Sequence, residues 1–120
     1  MNEIKTILVV DDMAFFLKTL KSLLQDMPYK LICVNSGKDA LRFLETRCPD
    51  LFILDVEMPN MNGYELAKKI RENGQTAPIL FLTGNSSPED VQKALDAGGA
   101  DVVTKPILKE YIIEKIKKYI

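Results

Sequence analysis

Five short apolar runs alternate with five longer amphipathic segments along 120 residues, and this order constrains the fold more than any other feature. The runs are rich in aliphatic and β-branched residues, and several are almost continuously apolar, which is typical of strands buried on both faces. The predicted strands are Thr6–Val10, Lys30–Val34, Leu51–Leu54, Ile79–Leu82 and Asp101–Thr104. Strands joined by helices favour a parallel sheet with helices on both sides and right-handed crossovers.

The amphipathic segments carry apolar residues at spacings of three and four, together with helix start and stop signals. Ser36 and Ser87 are predicted N-caps, and Pro88 with the two acidic residues that follow it suits a first helical turn. The five predicted helices run from Phe16 to a stop at Pro28, from Ser36 through Leu44, from Tyr64 to near Gly74, from Ser87 to about Gly98, and from Leu108 to Tyr119.

Length and composition predict one soluble globular domain over residues 1–120, with 47% hydrophobic and 28% charged residues. A net charge of −1 gives no general reason to bind nucleic acid or an anionic membrane, and no apolar run approaches the roughly 20 residues of a membrane span. Without a signal-peptide pattern, the predicted location is cytoplasmic. Two cysteines are too few for a disulfide scaffold, and the absence of histidine excludes Ser-His triads and His-ligated metal sites.

Chemically active residues follow four of the predicted strands. Asp11 and Asp12 end the first strand, Asp55 the third, Thr83 the fourth and Lys105 the fifth. Ligands of parallel α/β sheets bind beyond the carboxyl ends of the strands, so these side chains should share one rim. Two carboxylates at 4 Å repel by about 4 kcal/mol at an effective dielectric near 20, and a cluster of them suits a hard cation such as Mg²⁺.

Each of these residues also has a plainer interpretation when it is taken alone. The Asp11–Asp12 pair could cap a helix, and Asp55 could be a loop residue. Lys105 could be a solvated lysine before a turn, and Thr83 with the following glycine could form a turn. These interpretations do not predict that all of the residues stand at strand ends, and the joint placement favours a site.

Four stretches of the sequence resemble the receiver domain of bacterial two-component response regulators, of the chemotaxis-regulator type. They are Ile7–Asp12, Leu54–Gly63, Leu82–Gly84 and Thr104–Pro106, and the resemblance covers essentially the whole chain. It implies a (βα)5 flavodoxin-like three-layer sandwich, with a parallel five-stranded sheet of order 2-1-3-4-5.

The resemblance implies that Asp55 is the phosphoacceptor of a phosphorelay and attacks a phosphohistidine on a histidine kinase or a histidine phosphotransfer protein. Thr83 and Lys105 would contact the oxygens of the phosphoryl group. Such a domain is a switch more than an enzyme, since its own chemistry is limited to self-phosphorylation from a donor and slow self-dephosphorylation.

The same resemblance implies a Mg²⁺ cofactor. Its ligands would be Asp12, Asp55 and the backbone carbonyl of Glu57, with Asp11 acting directly or through water.

Departures from the family pattern affect output more than phosphorylation. Val102 stands where the family often has an aromatic residue that reports the phosphorylated state, and Gly84 replaces a more usual alanine. The output surface implied for the family is the fourth helix, fifth strand and fifth helix, where Tyr111, Ile107 and Ile112 form an apolar patch or merely the inner face of the fifth helix. The sequence leaves open which effector acts downstream and whether the domain forms a homodimer on phosphorylation. Direct binding of nucleic acid or of a membrane is not expected.

The loop after Asp55 contains Pro59, which fixes φ, and Gly63, which is predicted to permit a tight or positive-φ turn. The bond between Lys105 and Pro106 matches a position where the family often has a cis peptide, although base frequencies for any X-Pro bond favour trans.

Other function classes fit the residues less well. A Mg²⁺-dependent phosphatase of the haloacid-dehalogenase type also uses an aspartyl phosphate, but the Asp-x-Asp-x-Thr pattern of that class is replaced here by Asp11-Asp12-Met13-Ala14. A flavodoxin would place its FMN phosphate against two acidic side chains, which is electrostatically unfavourable. A receiver used only for docking would not need its key residues intact. Whether the chain is free-standing or part of a longer protein is left open by its length.

Overall fold

A computed structural model of the chain describes residues 4–85 and 87–120. The strands are β1 (Lys5–Val10), β2 (Tyr29–Val34), β3 (Leu51–Asp55), β4 (Ile79–Thr83) and β5 (Asp101–Thr104). The helices are α1 (Ala14–Leu23), α2 (Gly37–Leu44), α3 (Gly63–Glu72), α4 (Pro88–Asp96) and α5 (Lys109–Tyr119). Strands and helices alternate strictly, as the hydrophobic pattern predicted.

The five strands form one parallel sheet in the order β2-β1-β3-β4-β5. The register places Val10 beside Leu54, and it places the last residue of β4, Thr83, beside Thr104. The predicted flavodoxin-like (βα)5 fold and its strand order are confirmed.

Two apolar cores lie on opposite faces of the sheet. Alternate residues of β1 serve different cores: Leu8 and Val10 pack with α2, α3 and α4, whereas Ile7 and Val9 pack with α1 and α5. All five residues of β3 are buried, because both faces of this central strand are covered. The molecule is therefore a three-layer sandwich, and burial on both faces explains the continuously apolar runs.

Side-chain caps mark the starts of three helices. The Ser36 hydroxyl accepts a hydrogen bond from Asp39 N–H at the start of α2, and the Ser87 hydroxyl accepts one from Asp90 N–H at the start of α4. At α3, Asn62 and Glu65 form a reciprocal capping box. The two N-caps predicted from the sequence, Ser36 and Ser87, are confirmed.

The prediction that Pro28 stops the first helix is wrong. Helix α1 ends at Leu23, and the chain turns before Pro28 is reached. Leu24 closes the last turn through its N–H, which donates to the carbonyl of Leu20, while its side chain is buried in the α1 and α5 core. The helix therefore ends before the proline, and the buried side chain of Leu24 lies at its C-terminal end.

Among residues 4–85 and 87–120, no helix combines the length and the apolar character that crossing a membrane requires.

Candidate functional site

The sheet order brings the carboxyl ends of four strands to one rim. Asp11 follows β1, Asp55 ends β3, Thr83 ends β4, and Lys105 follows β5. Asp11 is completely buried, and Asp55 and Thr83 are 3% and 4% exposed; these are the buried polar residues of the described chain. Chemically active side chains 94 positions apart in the sequence thus meet because neighbouring parallel strands end together.

Three carboxylates form an acidic cluster at this rim. One oxygen each of Asp11, Asp12 and Asp55 lies within 4.8 Å of the other two. Asp11 Oδ1 accepts a hydrogen bond from Met13 N–H at 2.9 Å, whereas the buried Asp11 Oδ2 has no hydrogen-bond partner among the described residues. The N-cap of α1 is Met13, so the plainer interpretation of the acidic pair as a helix cap is wrong.

The Lys105 ammonium lies inside the same site. Its Nζ is 2.9 Å from Asp55 Oδ1 and 3.7 Å from Asp11 Oδ2, and it stands 4.2 Å from the centre of the Phe16 ring. The side chain is 25% exposed. Lys105 is thus a partner of the carboxylates and not a solvated lysine before a turn.

Burial raises the pKa of both Asp55 and Asp11 above the ordinary value of an aspartate. In each case desolvation is the largest cause, and repulsion by a neighbouring carboxylate adds to it. Lys105 lowers both pKa values but does not cancel the increase. The site is therefore short of positive charge, and an all-oxygen cluster of this kind can hold a hard divalent cation.

Thr83 lies at the rim, and its backbone is hydrogen-bonded to the backbone of Lys105. The Lys105 N–H donates to the Thr83 carbonyl at 2.8 Å. The Thr83 hydroxyl oxygen accepts a hydrogen bond from Asn85 N–H at 3.1 Å. The hydroxyl therefore links the end of β4 to the loop that leads into α4.

The loop after Asp55 returns tightly to the strand end. Gly63 N–H donates to the Val56 carbonyl at 2.9 Å, and a Cβ atom on Gly63 would lie 2.4 Å from the Asp55 carbonyl oxygen. Of the two alternatives predicted for Gly63, a tight turn or a positive φ, the positive φ is wrong, because the positive φ of this loop, 69°, occurs at Asn60. Gly63 is required by the close approach of α3 to the backbone of Asp55.

Two further predictions concern the neighbourhood of the site. Glu57 is exposed two residues after Asp55, and its backbone N–H is one cause that lowers the pKa of Asp55. The role of its carbonyl as a metal ligand stays a prediction. The Lys105–Pro106 peptide is cis, as the family resemblance implied and against the base frequency.

The residues expected to affect output fall into different environments. Val102 is 7% exposed and pairs in register with Phe81. Ile112 lies in α5 and is fully buried, which confirms the inner-face interpretation for this residue, whereas Tyr111 is 37% exposed. Ile107 precedes α5 and packs partly against the same core, so it is not part of the inner face of the helix.

Sequence reasoning missed one contact at the site, that of Phe16, and the physical reason for Gly63. Phe16 was predicted as the start of the first helix, and its contact with Lys105 was not predicted. Its helical spacing with Leu20, which is fully buried, is the one signal that it faces the sheet. For Gly63, no local pattern distinguishes a close backbone contact from a turn.

Comparison with known proteins agrees with this geometry. The sensor histidine kinase RcsC of Salmonella typhimurium is 34% identical over 118 residues, which make up 98% of this chain but 12% of the kinase. The transcriptional regulatory protein DltR of Streptococcus agalactiae is 33% identical over 92% of this chain and 50% of its own length, so the chain spans half or less of these relatives. The solved structure of the chemotaxis protein CheY4 of Vibrio cholerae superposes with a TM-score of 0.93 at 30% identity, covering 98% of this chain and all of that one.

The model of the response regulator receiver domain family matches residues 7–117. With the parallel sheet of order 2-1-3-4-5 and the acidic rim in place, the chain belongs to the response regulator receiver domain family.

Proposed function

We propose that the domain is a phosphorylation-controlled switch in which Asp55 accepts a phosphoryl group from the phosphohistidine of a histidine kinase or a histidine phosphotransfer protein. One observation carries the proposal: the Lys105 ammonium and the carboxylates of Asp11, Asp12 and Asp55 converge at one sheet edge. Family membership supports the same conclusion. Asp55 lies at the centre of this arrangement, since its carboxylate belongs to the acidic cluster and also contacts Lys105.

In the proposed reaction, a carboxylate oxygen of Asp55 attacks the phosphorus atom of the phosphohistidine. A new O–P bond forms while the P–N bond breaks, and the imidazole nitrogen leaves with the bonding electron pair and takes up a proton. The product is an acyl phosphate on Asp55. The phosphoryl oxygens then carry negative charge where the Asp55 carboxylate stood.

Lys105 lies close enough to Asp55 to contact the negatively charged oxygens of the phosphoryl group. Its Nζ already contacts Asp55 Oδ1, so a small rotation of the ammonium suffices to reach an oxygen attached to the same carboxyl group. The Thr83 hydroxyl would donate a hydrogen bond to a second phosphoryl oxygen. Because Thr83 also holds Asn85 N–H, this donation would change the loop that leads to α4.

The residues present fit a magnesium ion. Asp11 Oδ2 is buried without a hydrogen-bond partner in the described chain, and the cluster offers oxygen ligands alone. Asp11, Asp12, Asp55 and the carbonyl of Glu57 are the proposed ligands. When bound, Mg²⁺ supplies positive charge against the phosphoryl oxygens.

The proposed output surface is α4, β5 and α5. The effector that reads it is not identified by the chain, and the effector regions of related proteins differ, since a kinase and a transcriptional regulator both carry a related domain. We propose no direct nucleic-acid or membrane contact by this domain. A cytoplasmic location and a homodimer formed on phosphorylation stay predictions. The phosphatase of haloacid-dehalogenase type is not favoured, because residues 7–117 match the receiver family.

The test is incubation with phosphoramidate, a small P–N phosphodonor, followed by mass spectrometry of the intact protein. We expect one phosphoryl group that requires Mg²⁺, is stable in acid and is released by base. Asp55→Asn should abolish it, whereas Asp26→Asn, a change at an exposed aspartate outside the cluster, should leave it in place. An unchanged adduct in Asp55→Asn would refute the assignment of the phosphoacceptor.

A further inference from the structure

The Lys105 ammonium is held on three sides. Two of them are the carboxylates of Asp55 and Asp11, at 2.9 and 3.7 Å, and the third is the ring of Phe16, whose centre is 4.2 Å from Nζ. A cation within about 6 Å of a ring centre is attracted by the negative face of the ring. The charge that the proposed reaction depends on therefore has an aromatic contact as well as its two ionic ones.

Phe16 is placed by the same backbone that places the acidic cluster. Its N–H donates to the Met13 carbonyl at 3.0 Å, and Met13 N–H in turn donates to Asp11 Oδ1 at 2.9 Å. The side chain of Phe16 packs partly into the α1 and α5 core, whereas that of Phe15 is 76% exposed. The ring of Phe16 therefore lies at the site and partly in the core, whereas the ring of its neighbour Phe15 is exposed.

We infer that Phe16 is a positioning residue for phosphoryl transfer: it holds the Lys105 ammonium beside the phosphoacceptor carboxylate. This inference rests on the proposed function. The attraction between a ring face and a cation does not depend on rotation about the Cε–Nζ bond, so the N–H groups of Lys105 stay available to the oxygens opposite. A hydrogen-bond acceptor in the place of Phe16 would compete with Asp55 for those N–H groups, and the ring does not.

Removing the ring face should release the ammonium. The lysine side chain has four flexible carbons, and an aliphatic residue at position 16 would exclude some water but attract no charge. A smaller fraction of molecules would then present Nζ to the phosphoryl oxygens, and transfer should slow. The fold should survive, because an aliphatic residue also packs in the apolar core.

The first measurement is the rate of phosphorylation by phosphoramidate at saturating Mg²⁺. We expect Phe16→Leu to lower the rate by roughly threefold to tenfold, the range set by a partly desolvated cation–π contact. Phe16→Tyr, which keeps the ring face, should remain within about twofold of the wild type. The matched control is Phe15→Leu, the same change at the adjacent exposed ring, and it should have the wild-type rate.

The second measurement reads the contact without phosphorylation. In the unphosphorylated protein, the ring should shift the NMR signals of the Lys105 ε-methylene protons upfield, and Lys105→Arg identifies those signals. Phe16→Leu should abolish the upfield shift, and Phe16→Tyr and Phe15→Leu should keep it. A role of Phe16 confined to packing in the apolar core, with no contact between its ring and Lys105, would not produce this pattern.

The outcomes separate the two proposals. Three outcomes would overturn the positioning role: a wild-type rate in Phe16→Leu, an equal loss of rate in Phe16→Leu and Phe16→Tyr, or a Lys105 NMR signal that does not change when residue 16 is replaced. The phosphoacceptor role of Asp55 would still stand in each case. If the wild type itself takes up no phosphoryl group, the proposed function fails and the positioning role falls with it.

Discussion

Two lysine–aspartate ion pairs each have one member in β5 or directly after it. They differ in how far the lysine balances the negative charge around it. Lys105 meets Asp55 at 2.9 Å, and Lys115 of α5 meets Asp101 of β5 at 2.7 Å. The two lysine side chains are 25% and 22% exposed, and each lies near an aromatic ring. Distance and lysine exposure alone would therefore not tell the two pairs apart, but the carboxylates differ, since the Asp55 side chain is 4% exposed and that of Asp101 is 23% exposed.

The pKa directions do tell them apart. The Asp101 carboxylate accepts hydrogen bonds from Lys115, Tyr119 and the backbone N–H of Val102. Burial of Asp101 opposes ionisation, but these bonds outweigh it, and the pKa of Asp101 is lowered while that of Lys115 is raised by the pairing. At the rim, one lysine faces several carboxylates, and the pKa values of Asp11 and Asp55 are raised. The Asp101–Lys115 pair is electrostatically satisfied and structural. The Asp55–Lys105 pair lies among further carboxylates and is left short of positive charge, which suits a site that binds a cation and a phosphoryl group.

The largest expected difference between the two pairs appears when each lysine is replaced. Lys105→Met should lower the rate of phosphorylation by phosphoramidate by roughly tenfold to a hundredfold, because a group that offsets developing charge is lost. Lys115→Met, the same change in the structural pair, should leave that rate within about twofold. Intact-mass time courses measure both. Equal losses in the two variants would contradict the distinction between the pairs.

The next effect concerns the aspartates, where the same substitution should change stability in opposite directions. In protein free of divalent cations, Asp101→Asn should reduce the free energy of unfolding by about 1–2 kcal/mol, because a hydrogen-bonded, partly exposed charge is removed. Asp11→Asn should increase it by on the order of 1 kcal/mol, because repulsion and the cost of a buried charge are relieved. The new amide can still accept the Met13 N–H through its oxygen. Urea denaturation with a chelator present measures both, and a loss in Asp11→Asn would show that its carboxylate is already satisfied.

The contributions of these aspartates to the free energy of unfolding should depend on pH, and in opposite ways for Asp101 and for the rim. The pKa of Asp101 is lowered in the folded state, so its stabilisation is present above the ordinary value of 3.8 and is lost as pH falls through the folded-state pKa. The pKa values of Asp11 and Asp55 are raised, so their ionisation costs stability as pH rises from 3.8 through the folded-state values.

The gain in Asp11→Asn and the loss in Asp101→Asn should therefore both shrink towards zero as the pH falls, for opposite reasons. The loss in Asp101→Asn should persist below pH 3.8, where the gain in Asp11→Asn should already be gone. Urea denaturation at a series of pH values, with chelator throughout, provides the measurement. A gain in Asp11→Asn that does not vary with pH would mean that packing, and not ionisation, causes it.

The fold and the members of the rim were predictable from the sequence for a physical reason. Strands buried on both faces must be apolar, so an aspartate or a lysine directly after such a run stands out, and parallel strands bring those positions to one edge. The same local patterns predicted the caps at Ser36 and Ser87, because capping depends on residues three positions apart.

What could not be predicted depends on packing between distant elements. Two contacts depend on how a helix lies on the sheet: that of Phe16 with Lys105, and the close approach of Gly63 to Asp55. The pair of Asp101 and Lys115 was missed for the same reason, since the two residues are 14 positions apart and neither position has a local signature. Spacing along the chain identified which residues reach the rim. It did not identify which lysine has enough positive charge to balance the carboxylates around it.

The smallest expected effect tests why the structural pair is satisfied. Tyr119 donates its hydroxyl to Asp101 Oδ2 at 3.1 Å, and Tyr119→Phe removes that bond while keeping the ring in the α1 and α5 core. The free energy of unfolding should fall by about 0.5–1 kcal/mol, and the phosphorylation rate should not change. The pKa of Asp101, followed by NMR, should move up towards 3.8, because one of the bonds that lower it is gone. An unmoved Asp101 pKa would mean that Lys115 and Val102 N–H suffice, and that the contrast with the rim rests on the deeper burial and the larger number of the carboxylates there.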